Sequence, residues 1–298
     1  MTTENITSCP VCDQKNFSYY LTTKDYTVTK EEFELIKCSN CNLIITCPRP
    51  APQTIGKYYA SENYISHSGK SQTLFDKIYL TVRKLTLRWK YQLIKDYFPR
   101  PANLLDFGSG TGEFLNYMKG NSWNVFGIEP NDTAREKANL LLGNKVSQDL
   151  LFLKNNSIEV ITLWHVLEHI HDLNNTIQKL KHLLTPDGLI IIAVPNPQSH
   201  DTAHYDNAWA GYDVPRHLWH FSQKTMELLF KKNGLELVDI RPMKLDSFYV
   251  SLLSEGYKNP VQSKILTGIK ALLEGFISNI SAIRSKEYSS LIYIVKSQ

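Results

Sequence analysis

Three stretches of this chain combine residue types and spacings that do chemistry. The first is Leu104-Leu105-Asp106-Phe107-Gly108-Ser109-Gly110-Thr111-Gly112, an apolar run that ends in an acid and passes into three alternate glycines. Glycine lets the backbone turn sharply and approach a ligand closely, where a Cβ would obstruct both. The amides that open the following helix then face the ligand with no partner of their own. About twenty residues on, Glu129 closes a second apolar run, Val125-Phe126-Gly127-Ile128, where a carboxylate grips a ribose diol. Together these residues read as a nucleoside-cofactor site.

The second stretch is a cysteine set. Cys9-Pro10-Val11-Cys12 and Cys38-Ser39-Asn40-Cys41 are two C-x-x-C knuckles with 25 residues between them. Four thiolates at about 2.3 Å make a closed tetrahedral zinc site, structural rather than catalytic. Phe17 to Tyr20 and Tyr26 to Val28 read as the short strands of a zinc ribbon. Cys47 is one thiol too many, expected to be a small buried residue near the ribbon, with a spare ligand as the other reading. All five cysteines lie between positions 9 and 47, a clustering that in a reducing compartment points to metal and not to disulfides.

The third is a histidine-rich segment, Trp209 to Ser222, in which four aromatics accompany Arg216, His217 and His220. Imidazoles titrate near neutrality, so His217 and His220 are the first candidates for acid/base work, with Tyr212 and Arg216 as contacts for an acceptor. Each could equally be a satisfied packing residue. His165, at the end of a predicted strand over Ser157 to Trp164, is the third candidate. It opens His165-Val166-Leu167-Glu168-His169, an H-x-x-E-H pattern that on a helix marks a zinc protease. Placed at a strand end it does not, and Glu168 and His169 read instead as starting and capping the next helix.

The glycine spacing decides the cofactor. The dinucleotide fingerprint is G-x-G-x-x-G; here it is G-x-G-x-G, and Glu113 stands at the third dinucleotide position. Its charge suits a helix N-terminus but repels a pyrophosphate. A cofactor with an amino-acid tail and no phosphate fits better. At these residues the chain resembles the class I S-adenosylmethionine-dependent methyltransferases, whose first motif matches Leu104 to Gly112 and whose ribose-binding acid matches Glu129. The resemblance extends over roughly residues 100 to 240. It implies that Asp106, Gly108, Ser109, Gly110, Thr111, Gly112, Glu129 and Pro130 hold S-adenosylmethionine, with Asp149 on the adenine amino group and Leu150 and Trp164 nearby. A loop acid capping the next turn is the plainer reading of Asp149. In related sugar and small-molecule methyltransferases, a His-containing segment ending in Phe-Ser reaches the substrate, as Trp209 to Ser222 would here.

These residues need a scaffold. The chain reads as α/β: a Rossmann-like, seven-stranded class I methyltransferase sheet with helices on both faces, plus a small N-terminal zinc ribbon. The expected divisions are a ribbon over 1–50, a connector with N-terminal helices over 51–98, and the cofactor-binding domain over 99–298 with a helical insertion at about 247–285. Pro48 to Pro52 is a stiff link, and the tyrosine-rich Tyr58 to Tyr64 is expected to fold over the cofactor site. A basic amphipathic helix over 71–98 covers one sheet face. Helices over Asp132 to Leu142 and Lys224 to Asn233, a turn at Pro186-Asp187-Gly188, and strands at 146–150, 189–194, 235–240 and 289–295 complete the order. Between the last two strands, Val261 to Ile280 carries apolar residues at helical spacing, a lid, a homodimer contact or a membrane-surface element.

Composition narrows the function. The chain has 298 residues, 42% hydrophobic and 21% charged, with a net charge of +4, too small to argue for nucleic acid. No unbroken apolar run reaches the roughly 18 residues of a span, and the first residues lack a signal pattern, so a cytoplasmic enzyme is expected. The best reading is methylation of a small-molecule acceptor at oxygen or carbon, with a nucleotide-linked or glycan sugar among the candidates. One alternative is a zinc-ribbon RNA methyltransferase, disfavoured by the acidic interval Lys30-Glu31-Glu32-Phe33-Glu34. Another is a non-catalytic binding module, which the intact glycine loop and both acids oppose.

Overall fold

The computed structural model describes residues 2–59 and 74–298, with side chains described from Val82 onward in the helix that begins at Leu74. Positions 60–64 of the tyrosine-rich segment lie outside the described residues, while Tyr58 and Tyr59 end a short 3-10 turn, Ile55–Tyr59.

The N-terminal part is built from β1 (Thr3–Glu4), β2 (Phe17–Lys24), β3 (Glu32–Cys38), β4 (Ile44–Thr46) and β5 (Arg49–Pro50). β2 and β3 form a hairpin, and Asp25 makes its turn. That carboxylate is fully buried and accepts the amides of Thr27, Val28 and Thr29. Each C-x-x-C knuckle sits at one end of this small sheet, since a chain that turns back within four residues can aim two thiols at one point.

After α1 (Leu74–Tyr97) come β6 (Asn103–Phe107), α2 (Glu113–Gly120), β7 (Asn124–Ile128), α3 (Asp132–Leu142) and β8 (Val146–Ser147). Asn131 caps α3 by accepting the Ala134 amide, and Gly143 closes it in the left-handed region, the start and stop chemistry the sequence carries. β9 (Ile158–Trp164), α4 (Leu173–Leu183), β10 (Leu184–Pro195), α5 (His200–Tyr205), β11 (Trp219–His220), α6 (Gln223–Lys232) and β12 (Leu235–Pro242) follow. The chain ends in α7 (Asp246–Lys258), α8 (Lys264–Ser285) and β13 (Ser290–Ser297).

The main sheet has the order β12-β13-β10-β9-β6-β7-β8. Strands β6 to β10 are parallel, and β13 runs antiparallel to both β10 and β12. Leu189 to Val194 are all buried, because a central parallel strand is covered on both faces. Alternate residues feed two cores. Leu105, Ile161, Ile190 and Ile192 pack towards α4 and α6, while Leu104, Val160 and Ile191 pack against Ile94, Leu115 and Met118 of α1 and α2.

Three local expectations change. The helix after β9 does not start at Glu168. Leu167–His169 forms a 3-10 turn and α4 begins at Leu173, because the Glu168 side chain is drawn into the interior, fully buried. Pro186 to Gly188 falls within β10, which keeps pairing with β9 across a register shift between Leu184 and Leu189. From Lys264 onward the apolar stretch over 261–280 falls on one helix, α8, and α7 before it packs on α8 at Gly275, where an added Cβ would meet Phe248 Cδ1 at 2.7 Å. By length and composition alone α8 is long and apolar enough to cross a membrane, although Lys270 and Glu274 interrupt the run. It exposes Ile265, Leu272, Phe276 and Ile280 on its outer side. Finally, the histidine-rich segment contributes a strand to the N-terminal sheet. β11 pairs with β4 through Trp219↔Ile45 and His220↔Ile44, giving the order β11-β4-β3-β2.

Candidate active site

In the main sheet the strand order reverses between β6 and β9, and ligands of open α/β sheets bind in the crevice beyond the carboxyl ends of such a pair. The glycine loop follows β6 and His165 follows β9, so both stretches singled out in the sequence meet there. Gly108 has a φ of 81°, and a Cβ built on it would lie 2.5 Å from Val166 Cγ2. The loop therefore rests directly on the residue after His165, and only glycine fits. The amides of Gly108 and Ser109 donate to Ile128 O at 2.8 and 2.9 Å, tying the loop to the tip of β7. There the buried Glu129 accepts from Gly110 N through Oε2 at 2.8 Å and from Asn131 N through Oε1 at 2.9 Å. Each oxygen keeps a second lone pair for a diol. Thr111 and Pro130 are exposed at the mouth of the crevice. Glu113 is ion-paired with Arg83 of α1.

Asp106 is buried and accepts from Thr162 Oγ1 at 2.6 Å. Burial pushes its carboxyl up to about 6, against the opposing pull of Thr162 and the Lys90 ammonium. Burial likewise pushes Lys90 down to about 8, with its Nζ 4.1 Å from the centre of the half-buried Trp164 ring. The sign for stability follows. An unfolded aspartate titrates near about 4, so above pH 6 the charged Asp106 favours the unfolded chain, and this handicap fades as the pH falls between the two values. Asp106→Asn is therefore expected to melt above the parent near pH 8 and to converge with it below about pH 4. Melting curves across that range check this, and a variant less stable than the parent at pH 8 contradicts the burial argument.

Beyond β9 the charges are dense. His165 adopts a φ of 56°, with Nε2 2.9 Å from Asp246 Oδ2 and Nδ1 3.5 Å from Glu168 Oε1. Burial opposes its cation, but Asp246 and Glu168 outweigh that and carry its pKa to about 10. It is an imidazolium at neutral pH. Glu168 stays charged despite its burial, because His165 and the neighbouring imidazoles hold it below the usual carboxylate range. His169 is kept neutral, pushed down to about 4 by burial and by His217.

The histidine-rich segment divides. His217 reaches the cluster; its Nδ1 lies 2.8 Å from Gly211 O, and its Nε2 3.9 Å from both Glu168 Oε1 and Asp213 Oδ2. His220 lies in the N-terminal sheet. It is buried in β11 with Nε2 3.1 Å from Thr46 Oγ1, and burial holds its pKa well below the ordinary value. Tyr212 and Arg216 are buried too. Tyr212 is buried edge-on to Trp209 and His220, with ring centres 5.0 and 5.4 Å apart. Arg216 is buried and fully engaged, donating to Tyr58 O at 2.8 Å, Asp213 Oδ2 at 2.9 Å and Asp25 Oδ1 at 3.1 Å, with Thr27 also in contact. It clasps the N-terminal hairpin to the main domain. Asp149 is exposed and accepts the Leu151 amide at 3.0 Å, a turn-capping contact, and Leu150 beside it is half-buried.

Sequence reasoning passed over Lys90, Asp213, Asp246 and the inward roles of Glu168 and His169. Only the last two carried a signal, the H-x-x-E-H spacing. Away from the crevice, the Sγ atoms of Cys9, Cys12, Cys38 and Cys41 all lie within 4.8 Å of one another, with Cys9–Cys41 and Cys12–Cys38 each at 3.5 Å. A tetrahedral ion with bonds of about 2.3 Å sets its sulfurs about 3.8 Å apart, so the set fits zinc. Cys47 stands outside it, buried, with its Sγ 3.4 Å from Ile6 N.

A protein family described as a methyltransferase domain matches residues 80–240. The ubiquinone biosynthesis O-methyltransferase of Actinobacillus pleuropneumoniae is 32% identical over 120 residues, covering 34% of this chain and 51% of that protein. The chain thus spans about half the length of the curated relative it matches. Among solved structures, geranyl diphosphate C-methyltransferase from Streptomyces coelicolor, in complex with Mg2+, geranyl diphosphate and S-adenosyl-L-homocysteine, aligns with a TM-score of 0.51. The identity is 13%, over 78% of this chain and 88% of that one, a likeness of fold.

Proposed function

Since the chain belongs to the methyltransferase domain family, matched over residues 80–240, we propose that it transfers the methyl group of S-adenosylmethionine to a hydroxyl of a small molecule. The observation that carries this reading is the meeting of the glycine loop with the His165–His169 turn at Gly108 and Val166. It sets a nucleoside cradle against a cluster of imidazoles and carboxylates. S-adenosylmethionine supplies a methyl group already activated on a sulfonium. The chain's own part is to align an acceptor in line with it, to exclude water and to take a proton.

Glu129 and the Gly108–Gly112 loop orient the nucleoside, and Asp106 lies behind them. The proton of the acceptor hydroxyl goes to the cluster at the end of β9. There His217 has its Nδ1 facing the Gly211 carbonyl at 2.8 Å, and its Nε2, 3.9 Å from Glu168 Oε1, is the nitrogen left to take the proton. His165, already an imidazolium, balances the two carboxylates beside it. A cavity of about 550 Å³ between α1 and the β12–α7 turn, lined by Leu85, Trp89, Leu93, Met243 and Asp246, would seat an acceptor with an apolar body. That size is within the range of small-molecule sites. A sugar-linked acceptor would present its hydroxyl from the same side. The four-thiol site would hold a structural Zn2+, and the unpaired thiols fit a cytoplasmic enzyme.

The cofactor assignment is tested at Glu129. Glu129→Ala removes two acceptors for a ribose diol, each worth about 1.5–3 kcal/mol as a charged hydrogen bond. Affinity for S-adenosylmethionine, measured by calorimetry, is expected to fall at least about tenfold with little change in the far-ultraviolet dichroism. Unchanged affinity removes Glu129 from the site. A thermal-shift series gives the complementary result: S-adenosylmethionine and its demethylated product stabilise the protein, by about 2.7 kcal/mol at 100 times Kd, and NADH does not.

A further inference from the structure

We propose that Glu168, His169 and His217 bind one divalent transition-metal ion, at a second site distinct from the four-cysteine set. Its catalytic role, holding the acceptor oxygen, rests on the methyltransferase reading; its existence does not. A ring nitrogen of each histidine and a carboxylate oxygen of Glu168 all lie within 4.8 Å of one another. Donors bound at about 2.0–2.2 Å to one ion stand some 3–4 Å apart, so a slight contraction of the three side chains closes the site.

The tautomers are already set for it. His169 Nδ1 lies 2.9 Å from Arg216 O and His217 Nδ1 lies 2.8 Å from Gly211 O. A backbone carbonyl accepts only from N–H, so each Nδ1 is committed as a donor and each Nε2 is the nitrogen left to meet an ion. This is the arrangement that orients metal-bound imidazoles in general. The third donor points to an ion independently. Glu168 is fully buried, and neither carboxylate oxygen accepts a hydrogen bond, a costly state for a charged group unless a cation meets it. His165 approaches Oε1 only to 3.5 Å and is itself engaged by Asp246.

The backbone holds the ligands in place. Leu218 N donates to Glu168 O at 2.8 Å and His169 N donates to Val166 O at 3.0 Å, so the 3-10 turn and the segment before β11 form one unit. Two imidazoles and one carboxylate suit zinc, manganese, iron or cobalt better than calcium or magnesium, which favour oxygen alone. Three protein ligands leave coordination positions for a water or an acceptor hydroxyl, whose proton the ion would make easier to lose. His217 then acts as a ligand, and the proton lost from the hydroxyl passes to solvent water.

The test uses the full chain with its cysteine site first filled by one equivalent of Zn2+, and Mn2+ as the probe, a hard ion that thiolates reject. Titration followed by the electron paramagnetic resonance of free Mn2+ is expected to show one further ion bound per chain. Glu168→Gln and His217→Gln should each weaken that binding at least tenfold while the zinc content stays at one. If the unsubstituted protein takes up no Mn2+, or if both variants bind it as the parent does, the proposal is overturned. The functional reading is judged separately. Methyl transfer that continues undiminished in Mn2+-free, zinc-retaining protein sinks the ion's role and leaves the transferase standing. Mn2+ binding without any affinity for S-adenosylmethionine does the reverse.

Discussion

Replacing Cys38 with serine is expected to abolish methyl transfer while leaving the cofactor cradle able to bind its ligand. A structural zinc site contributes apparent folding free energy of about 10–16 kcal/mol in small thiolate domains, far more than a four-stranded sheet of this size gains from its own core. Cys38 ends β3, and the next strand, β4, is paired with β11. Losing the ion therefore unpins β11 together with the contacts made through it. Thr46 Oγ1 donates to His217 O at 2.7 Å, and the histidine placed in the reaction follows when that bond goes. The glycine loop and Glu129 are tied to the tip of β7 through Ile128 O and Asn131 N, contacts made within the main sheet. Zinc content falling from one to zero, lost turnover and retained cofactor affinity by calorimetry are the three readings. Turnover that survives zinc loss would show that the ribbon does not position His217.

The second large effect is expected at Arg216. Its guanidinium is buried against Asp25, itself fully buried, and against Asp213. Removing one partner of such a network strands the others in a medium that solvates them poorly, at about 3–5 kcal/mol. Arg216→Met should lower the unfolding free energy by that amount in urea titration and the melting temperature by on the order of 10 °C. Adding Asp213→Asn should return part of the loss, since that stranded charge is then gone. A loss below about 1 kcal/mol would mean that water reaches the clasp.

The elements were legible in the sequence where the signal is local. The glycine loop, the acid at position 129, the continuous β10 run and the paired cysteine knuckles each carry their geometry in a few adjacent residues. The edge pairing of β12 with β13 followed from the family resemblance. What did not show was convergence. His169 and His217 are far apart along the chain yet share a cluster with ring centres 4.7 Å apart, and no local pattern encodes that meeting. Nor does residue type separate a catalytic from a structural role. Arg216, Tyr212 and His220 are what a substrate site would use, and equally what a buried polar interface needs. The strand that decides between these roles, β11, is two residues long, too short for any periodicity. Glu168 was misplaced for a related reason, because an acid before a helix is ordinarily its cap.

The pairing of β4 with β11 also sets a timetable for synthesis. Thr46 and His220 meet across 174 positions, so the N-terminal hairpin leaves the ribosome long before its last strand. At about 5–20 residues per second the wait is roughly 9–35 s. Meanwhile the Ile44-Ile45 edge, buried in the finished protein, has no strand beside it. An apolar unpaired edge is a template for other chains. Nascent copies of this protein are thus expected to need shielding at their N-terminal sheet until residue 220 has emerged.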